Sequence, residues 1–89
     1  MSGARVELYT TGWCGFCQRA KALLTRKGVE FEEYRVDETP QLREQMLTRS
    51  GGARSVPQIF IAGQHIGGCD ELHALEQGGK LDALLAATD

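Results

Sequence analysis

The spacing of apolar residues divides the first half of the chain into segments of two kinds. Residues 5–10 (RVELYT) and 29–36 (VEFEEYRV) are short and rich in β-branched and aromatic side chains, which is typical of strands. The alternation in the second segment is imperfect, so its register stays open. Between them, apolar residues recur three and four positions apart from Cys14 onward, and Lys27-Gly28 is a helix stop. This helix is predicted to bury Phe16, Ala20, Leu23 and Leu24.

The second half of the chain predicts another helix, a hairpin and a final helix. Thr39 is placed as the cap and Pro40 as the first residue of the second helix, which ends at residues 50–52 (SGG). Residues 58–61 and 65–66 read as antiparallel strands joined by a tight turn. Asp70 is expected to cap the last helix, which Gly78-Gly79 interrupts. The apolar positions of these helices are Leu42, Met46, Leu47, Leu72, Leu75, Leu81, Leu84 and Leu85.

This order of elements, βαβαββα, predicts an α/β fold with a four-stranded mixed sheet and helices on both faces. The chain has 89 residues and no repeat or long linker, so residues 1–89 are expected to form a single domain. Ligands in such sheets bind outside the carboxyl ends of the strands. Cys14 falls at the first junction between a strand and a helix.

Charge and hydropathy narrow the classes of function. With a net charge of −2, the chain has no excess of basic residues for binding nucleic acid and no polybasic patch for a membrane surface. No apolar run approaches the roughly 20 residues that span a bilayer, and the first five residues lack the apolar stretch of a secretory signal. The three cysteines are too few, and odd in number, for a structural disulfide framework. We therefore expect a reducing, cytoplasmic setting.

Cys14 and Cys17 form the candidate catalytic pair, two residues apart at the start of a helix. The free N–H groups and partial positive charge of a helix N-terminus favour a thiolate, and cysteines there have pKa values of about 3.5–7.5 rather than about 8.5. One helical turn brings the two sulfurs close enough for a disulfide. Because the first cysteine lies at the tip and the second faces inward, we assign Cys14 as nucleophile and Cys17 as resolving thiol.

A structural zinc site is the alternative interpretation, because a Cys-x-x-Cys pair is half of one. His65, Cys69 and His73 are the candidate remaining ligands, although Gly67-Gly68 breaks the helix that would carry them. For Cys69 a small buried core residue is at least as good an interpretation as a redox role.

Four sequence motifs, spread over nearly the whole chain, occur in an order that is characteristic of one protein family. They are residues 6–10 (VELYT), 14–21 (CGFCQRAK), 55–61 (SVPQIFI) and 66–72 (IGGCDEL). With these motifs the sequence resembles the glutaredoxin family, in particular its dithiol members. The resemblance implies a thioredoxin fold and glutathione as the reductant.

The resemblance also implies where glutathione binds. The proline matching Pro57 is cis in that family, and the backbone of Val56 pairs with the main chain of glutathione. Residues 68–70 (Gly68, Cys69 and Asp70) then receive the γ-glutamyl carboxylate, and the Asp70 side chain meets the amino group. Arg43, with Arg54 behind it, is the candidate for the other carboxylate of glutathione, against the alternative of solvated surface charges.

The sequence departs from the commonest family pattern around the two cysteines. Gly15 and Phe16 replace the usual Pro-Tyr, so the aromatic ring at the glutathione site stays but its hydroxyl is lost. Thr11 stands where a lysine is frequent, and Trp13 is more typical of thioredoxins or simply shields the loop. Family members with glycine or serine at the position of Gly15 include proteins that bind a [2Fe–2S] cluster between two subunits, ligated by Cys14 of each chain and by glutathione.

The sequence thus predicts a monomeric enzyme that reduces protein disulfides and glutathione mixed disulfides through Cys14 and Cys17. One alternative is a thioredoxin-type reductant served by a flavoprotein reductase, which Phe16 and the GGCD segment disfavour. The other is a cluster-bridged dimer that acts as an iron–sulfur carrier or redox sensor. A carrier needs only one cysteine per chain, so the presence of Cys17 favours redox work.

Overall fold

Eight helices and strands follow one another in the computed structural model, which describes residues 3–86. The elements are β1 (Val6–Thr10), α1 (Gly15–Arg26), β2 (Glu32–Arg35), α2 (Pro40–Arg49), β3 (Gln58–Ile61), β4 (Gln64–Gly67), α3 (Cys69–Gln77) and α4 (Leu81–Ala86). The predicted order is confirmed, with the last helix split in two at the glycine pair. The first two residues, part of the segment expected to lack a secretory signal, lie outside the described residues, as do residues 87–89.

The four strands form one mixed sheet in the order β2-β1-β3-β4. β1 pairs in parallel with β2, which places Tyr9 opposite Tyr34, and antiparallel with β3, which places Leu8 opposite Ile59. β3 and β4 form the predicted antiparallel hairpin, with an irregularity in register next to Ile59. This is the four-stranded sheet of the thioredoxin fold, as expected.

Both faces of β1 are buried, because helices cover both sides of the sheet. Val6 and Leu8 point towards α1, α3 and α4, where they pack with Leu23 and Leu72. Tyr9 points to the other side and packs with Met46 of α2. Each fully buried leucine contributes about 2 kcal/mol from the removal of apolar surface from water. The central strand therefore has a fixed position, and its carboxyl end is a rigid starting point for the loop that follows.

The second strand is shorter than the predicted segment 29–36. Val29 donates its N–H to Leu24 O at 3.2 Å, so this residue closes the end of α1 instead of starting a strand. Gly28 precedes it with a φ of 76°, a left-handed conformation that glycine adopts without strain. Four residues, Glu32–Arg35, remain for β2.

The predicted cap of the last helix was wrong. Gly68, not Asp70, is the N-cap of α3, and Asp70 lies in its first turn with Glu71. Gly68 donates its N–H to Glu71 Oε1 at 2.7 Å, so the helix begins two residues earlier than expected. Thr39 does stand at the N-cap of α2, but its side chain makes no capping hydrogen bond.

The described helices have 6 to 12 residues. Within residues 3–86, none combines the length and the apolar composition needed to cross a membrane.

Candidate active site

Cys14 is the N-cap residue of α1, at the point where the loop after β1 turns into the helix. Its backbone is extended, with φ −141° and ψ 106°, and its sulfur accepts the N–H of Cys17 at 3.0 Å. The first turn of α1 contains no acidic side chain. The Cys14 sulfur therefore meets the positive end of the helix without an opposing carboxylate in that turn.

Cys17 differs from Cys14 in its burial. It is fully buried, whereas Cys14 is half-buried, and both are free thiols. Burial raises the pKa of Cys17 to about 12, the Cys14 sulfur acts in the same direction, and the backbone N–H of Thr11 acts against them. Cys17 is therefore a protonated thiol at neutral pH. An accessible thiol lies above a buried one, as the sequence predicted.

The aromatic residues beside the pair are exposed, which the sequence did not predict. Phe16 was expected on the buried face of α1, but it is 54% exposed, and Cys17 joins Ala20 on that face instead. The Arg19 guanidinium carbon lies 5.9 Å from the centre of the Phe16 ring. Trp13 is 100% exposed, so its side chain does not shield the loop.

A cleft of about 240 Å³ opens beside the dithiol between α1, the loop before β3 and the start of α3. The Val56–Pro57 peptide bond is cis, as the family resemblance implied, and the Cys14 sulfur lies 3.8 Å from Val56 O. The lining residues are Phe16, Ser55, Val56, Pro57, Gly68, Cys69, Asp70 and Glu71.

Six of these lining residues were predicted from the sequence, and two were missed. Ser55 directly precedes the Val56-Pro57 pair, so its place follows from theirs. Glu71 follows Gly68 by three residues, which is the spacing of a capping box, and that spacing was the available signal. The structure thus brings together residues from three separate motifs.

Three other predicted site residues lie outside this lining. Arg43 is exposed on α2 and Arg54 is exposed in the loop before β3. Thr11 lies in the loop between β1 and Cys14, and its backbone acts to lower the pKa of Cys17. Their roles in binding remain predictions.

Among the described residues, the histidines and Cys69 form no metal-binding group with the dithiol. Cys69 is buried, which raises the pKa of its thiol, and its sulfur lies 3.4 Å from Nδ1 of His73 one turn along α3. His65 Nε2 lies 2.6 Å from the Gln58 side-chain oxygen. Among residues 3–86, no three His, Cys, Asp or Glu side chains are grouped so that they can hold a metal ion. The geometry gives no support to the zinc alternative.

A larger groove of about 650 Å³ lies at the opposite end of β1 from Cys14. Its described lining runs along the starts of β1 and β2 and includes Arg5, Val29, Glu30 and Phe31. The lining contains no cysteine or histidine, so the thiol chemistry belongs to the smaller cleft.

Comparisons with known proteins agree with this geometry. The glutaredoxin family model matches residues 6–66. Glutaredoxin of Pseudomonas aeruginosa is 58% identical over 82 residues, which cover 92% of this chain and 96% of that protein.

Solved structures show the same fold. The solution structure of glutaredoxin from Brucella melitensis is 53% identical with a TM-score of 0.82, and the match covers 97% of this chain and 92% of that one. The crystal structure of a buckwheat glutaredoxin–glutathione complex is 30% identical with a TM-score of 0.84, covering 94% and 82%.

The dithiol at a helix start, the cis proline beside it and the match over most of the chain have one explanation. The chain belongs to the glutaredoxin family of thiol–disulfide oxidoreductases.

Proposed function

We propose that the protein uses glutathione to reduce protein disulfides and glutathione mixed disulfides, with Cys14 as nucleophile and Cys17 as resolving thiol. The observation that carries the proposal is the hydrogen bond from Cys17 N–H to the Cys14 sulfur at 3.0 Å, at the start of α1. It stabilises a thiolate on the one cysteine of the pair that solvent reaches.

In the first step the Cys14 thiolate attacks a disulfide sulfur of the substrate. A mixed disulfide forms on Cys14, and the other half of the substrate leaves as a thiolate that takes a proton from solvent. A second glutathione, or the Cys17 thiol, then resolves the mixed disulfide. Burial of Cys17 keeps it from competing for the first attack.

Glutathione is proposed to bind in the cleft beside Val56 and α3. The backbone of Val56 pairs with the extended tripeptide. Because Glu71 already accepts the N–H of Gly68, the unpaired N–H groups of Cys69 and Asp70 receive the γ-glutamyl carboxylate. The Asp70 carboxylate meets the amino group. A buckwheat relative with the same fold was solved in complex with glutathione, which supports glutathione as the ligand.

Arg43 is proposed to meet the second carboxylate of glutathione, with Arg54 as the alternative. Both side chains are exposed and lack a carboxylate partner within 4 Å among the described residues. Thr11 provides no charge at the position where the family frequently has lysine. Another cation at the edge of the cleft is therefore needed to bind this carboxylate.

The proposed setting is the cytoplasm, where a glutathione pool keeps thiols reduced. All three cysteines are free, which suits that setting. Oxidised or glutathionylated proteins are the proposed partners.

A glutathione-coupled reductase assay on a glutathionylated peptide and on a protein disulfide tests the proposal. Cys14→Ser is expected to lose both activities. Cys17→Ser is expected to keep most of the first, because glutathione can resolve the mixed disulfide, and to lose most of the second. Activity that persists in Cys14→Ser contradicts the assignment of the nucleophile. Electrons accepted from thioredoxin reductase, and not from glutathione, favour the thioredoxin-type alternative.

A cluster-bridged dimer is a second candidate, which the surroundings of Cys14 permit. A Cβ built on Gly15 meets no atom within 4 Å, so the surface next to Cys14 is open to a second chain. Each chain offers Cys14 as a thiolate ligand, and two glutathione thiols complete a set of four, the donor chemistry that [2Fe–2S] clusters take. Anaerobic reconstitution followed by visible absorption tests this candidate, and a colourless monomer contradicts it.

A further inference from the structure

We propose that Gln58 is a positioning residue for glutathione binding, because its side-chain amide holds the Ser55 carbonyl and thereby directs the Val56 N–H towards the tripeptide. The inference rests on the proposed pairing of Val56 with glutathione, and it adds a residue that does not line the cleft. Gln58 is the first residue of β3 and is only 4% exposed.

The buried amide of Gln58 has partners at both of its ends. Its Nε2 lies 2.9 Å from Ser55 O and 3.3 Å from Ser55 Oγ, and its Oε1 lies 2.6 Å from His65 Nε2. A backbone carbonyl can only accept a hydrogen bond, so the NH₂ group of Gln58 must face Ser55. The amide oxygen then faces His65, whose Nε2 donates. These partners fix the direction of the amide.

His65 is itself held against the sheet. The pairing of β3 with β4 places it opposite Phe60, and the two rings stack with their centres 4.9 Å apart. A chain of hydrogen bonds therefore runs from His65 through Gln58 to the Ser55 carbonyl. It connects the hairpin to the loop that precedes β3.

The Ser55 carbonyl matters because it shares a peptide group with the Val56 N–H. In a planar trans peptide the C=O and the following N–H point in opposite directions. Gln58 pulls the C=O to its own side, so the Val56 N–H points away from Gln58. Among residues 3–86 no group accepts this N–H. It is therefore available to a ligand.

The Val56 carbonyl indicates on which side that ligand lies. A residue that precedes proline is restricted mainly to extended conformations, in which its N–H and C=O point to the same side. Val56 O lies 3.8 Å from the Cys14 sulfur. We therefore expect the Val56 N–H on this side too, where the cysteine of glutathione must lie for its sulfur to reach Cys14.

Loss of the Gln58 donor should change the affinity for glutathione and leave the reactivity of Cys14 unchanged. Ser55 is exposed, so water can bind its carbonyl once Gln58 no longer does, and the peptide between Ser55 and Val56 is then free to rotate. Binding of the tripeptide must order this peptide again, which weakens the complex. The Gln58 side chain makes its hydrogen bonds to Ser55 and His65, and none to the dithiol.

S-methylglutathione is the probe for binding, because its blocked sulfur cannot react with Cys14. It is titrated into the ¹⁵N-labelled protein, and NMR follows the amide signal of Val56. In the wild type this amide proton is expected to move downfield as its hydrogen bond forms. In Gln58→Met the affinity should fall about fivefold, the order of one hydrogen bond between neutral groups, and the downfield shift at Val56 should shrink.

A disulfide without a peptide backbone distinguishes positioning from a damaged site. The reduced protein is mixed with 2-hydroxyethyl disulfide, quenched in acid and analysed by mass spectrometry for the adduct on Cys14. The rate in Gln58→Met is expected to stay within about twofold of the wild-type rate, because this substrate offers Val56 nothing to pair with.

Gln58→Glu is the second test variant, and Gln64 provides matched controls. Gln58→Glu keeps an acceptor for His65 but its carboxylate has no hydrogen to give to Ser55 O, so the affinity should fall at least about fivefold. Gln64 is exposed at the start of β4. Gln64→Met and Gln64→Glu make the same exchanges there, and their affinities should stay within about twofold of the wild type. Circular dichroism shows whether each variant is folded.

The inference is overturned if the folded Gln58 variants bind S-methylglutathione as tightly as the wild type. It is also overturned if their reaction with 2-hydroxyethyl disulfide slows by the same factor as binding weakens, which is the result of a generally loosened loop. Failure of the proposed function has a different appearance. In that case the wild-type protein does not bind S-methylglutathione, or binds it without any change at Val56.

Discussion

Arg49, the last residue of α2, holds the buried carboxylate of Glu7 on β1 through hydrogen bonds of 2.9 Å (Nη2 to Oε1) and 3.2 Å (Nη1 to Oε2). Tyr34 donates its hydroxyl to Glu7 Oε2 at 2.9 Å. The guanidinium carbon of Arg49 lies 4.1 Å from the centre of the Phe60 ring, so the cation also covers an aromatic face. This ion pair attaches α2 to the sheet on the side opposite α1.

Replacing Arg49 by Met is expected to lower the free energy of unfolding by about 3 kcal/mol, because Glu7 then stays buried with only the more distant Arg5, 3.8 Å away, as a cation. Urea denaturation followed by circular dichroism measures the change. Arg43→Met, an exposed position on the same helix, is the control and should change stability by less than about 0.5 kcal/mol. Equal stability of Arg49→Met and wild type would show that Tyr34 and Arg5 together satisfy the Glu7 carboxylate.

The ion pair of Arg49 and Glu7 also shows which kind of contact cannot be predicted from the sequence. The strand around Glu7 was predicted from its composition, and a buried strand with an acidic residue at its second position implies some partner. The partner lies 42 residues away at the end of a helix, and nothing in the local pattern identifies it. The same holds for Gln58, a buried amide whose oxygen lies near His65 across the hairpin. Buried polar pairs depend on packing geometry that composition does not encode.

The dithiol and its cleft were more predictable, because interactions between residues close together in the sequence determine their geometry. A helix start sets the environment of Cys14 within one turn, and the helical period alone places Cys17 inward. The error at Phe16 has a simple cause, since the apolar face was counted from the wrong residue. The hydrogen bond from the Gly12 N–H to Asp37 was not predicted, because a glycine amide leaves no trace in the side-chain pattern.

Stability is expected to fall at alkaline pH because of Cys17. An ordinary thiol ionises near pH 8.5 in the unfolded chain, whereas burial raises the pKa of Cys17 to about 12 in the folded protein. Between these values the folded state holds one proton more than the unfolded state, so the free energy of unfolding decreases as pH rises. Below pH 8.5 this contribution is fully present.

Urea denaturation at pH 9 and pH 10 measures the effect. Cys17 is expected to account for about 1 kcal/mol of the loss over this interval, and Cys17→Ala should show a correspondingly smaller decrease. Cys69→Ala is a useful comparison, since burial raises the pKa of that thiol in the same direction. An identical pH dependence in Cys17→Ala and wild type would mean that Cys17 ionises equally in both states.

Asp70→Asn is expected to weaken recognition of the γ-glutamyl group without slowing the chemistry. Asp70 is exposed in the first turn of α3 and lines the cleft, and its proposed partner is the amino group of glutathione. A hydrogen bond between two charged groups is worth about 1.5–3 kcal/mol, so KM for a glutathionylated peptide should rise at least about tenfold while kcat stays within about twofold. The same peptide with 2-mercaptoethanol in place of glutathione lacks the γ-glutamyl amino group, and its KM should not change. Glu30→Gln, which removes a carboxylate at the opposite end of β1, controls for net charge. If KM rises equally for both peptides, Asp70 acts through the stability of the helix start, and the γ-glutamyl group binds elsewhere.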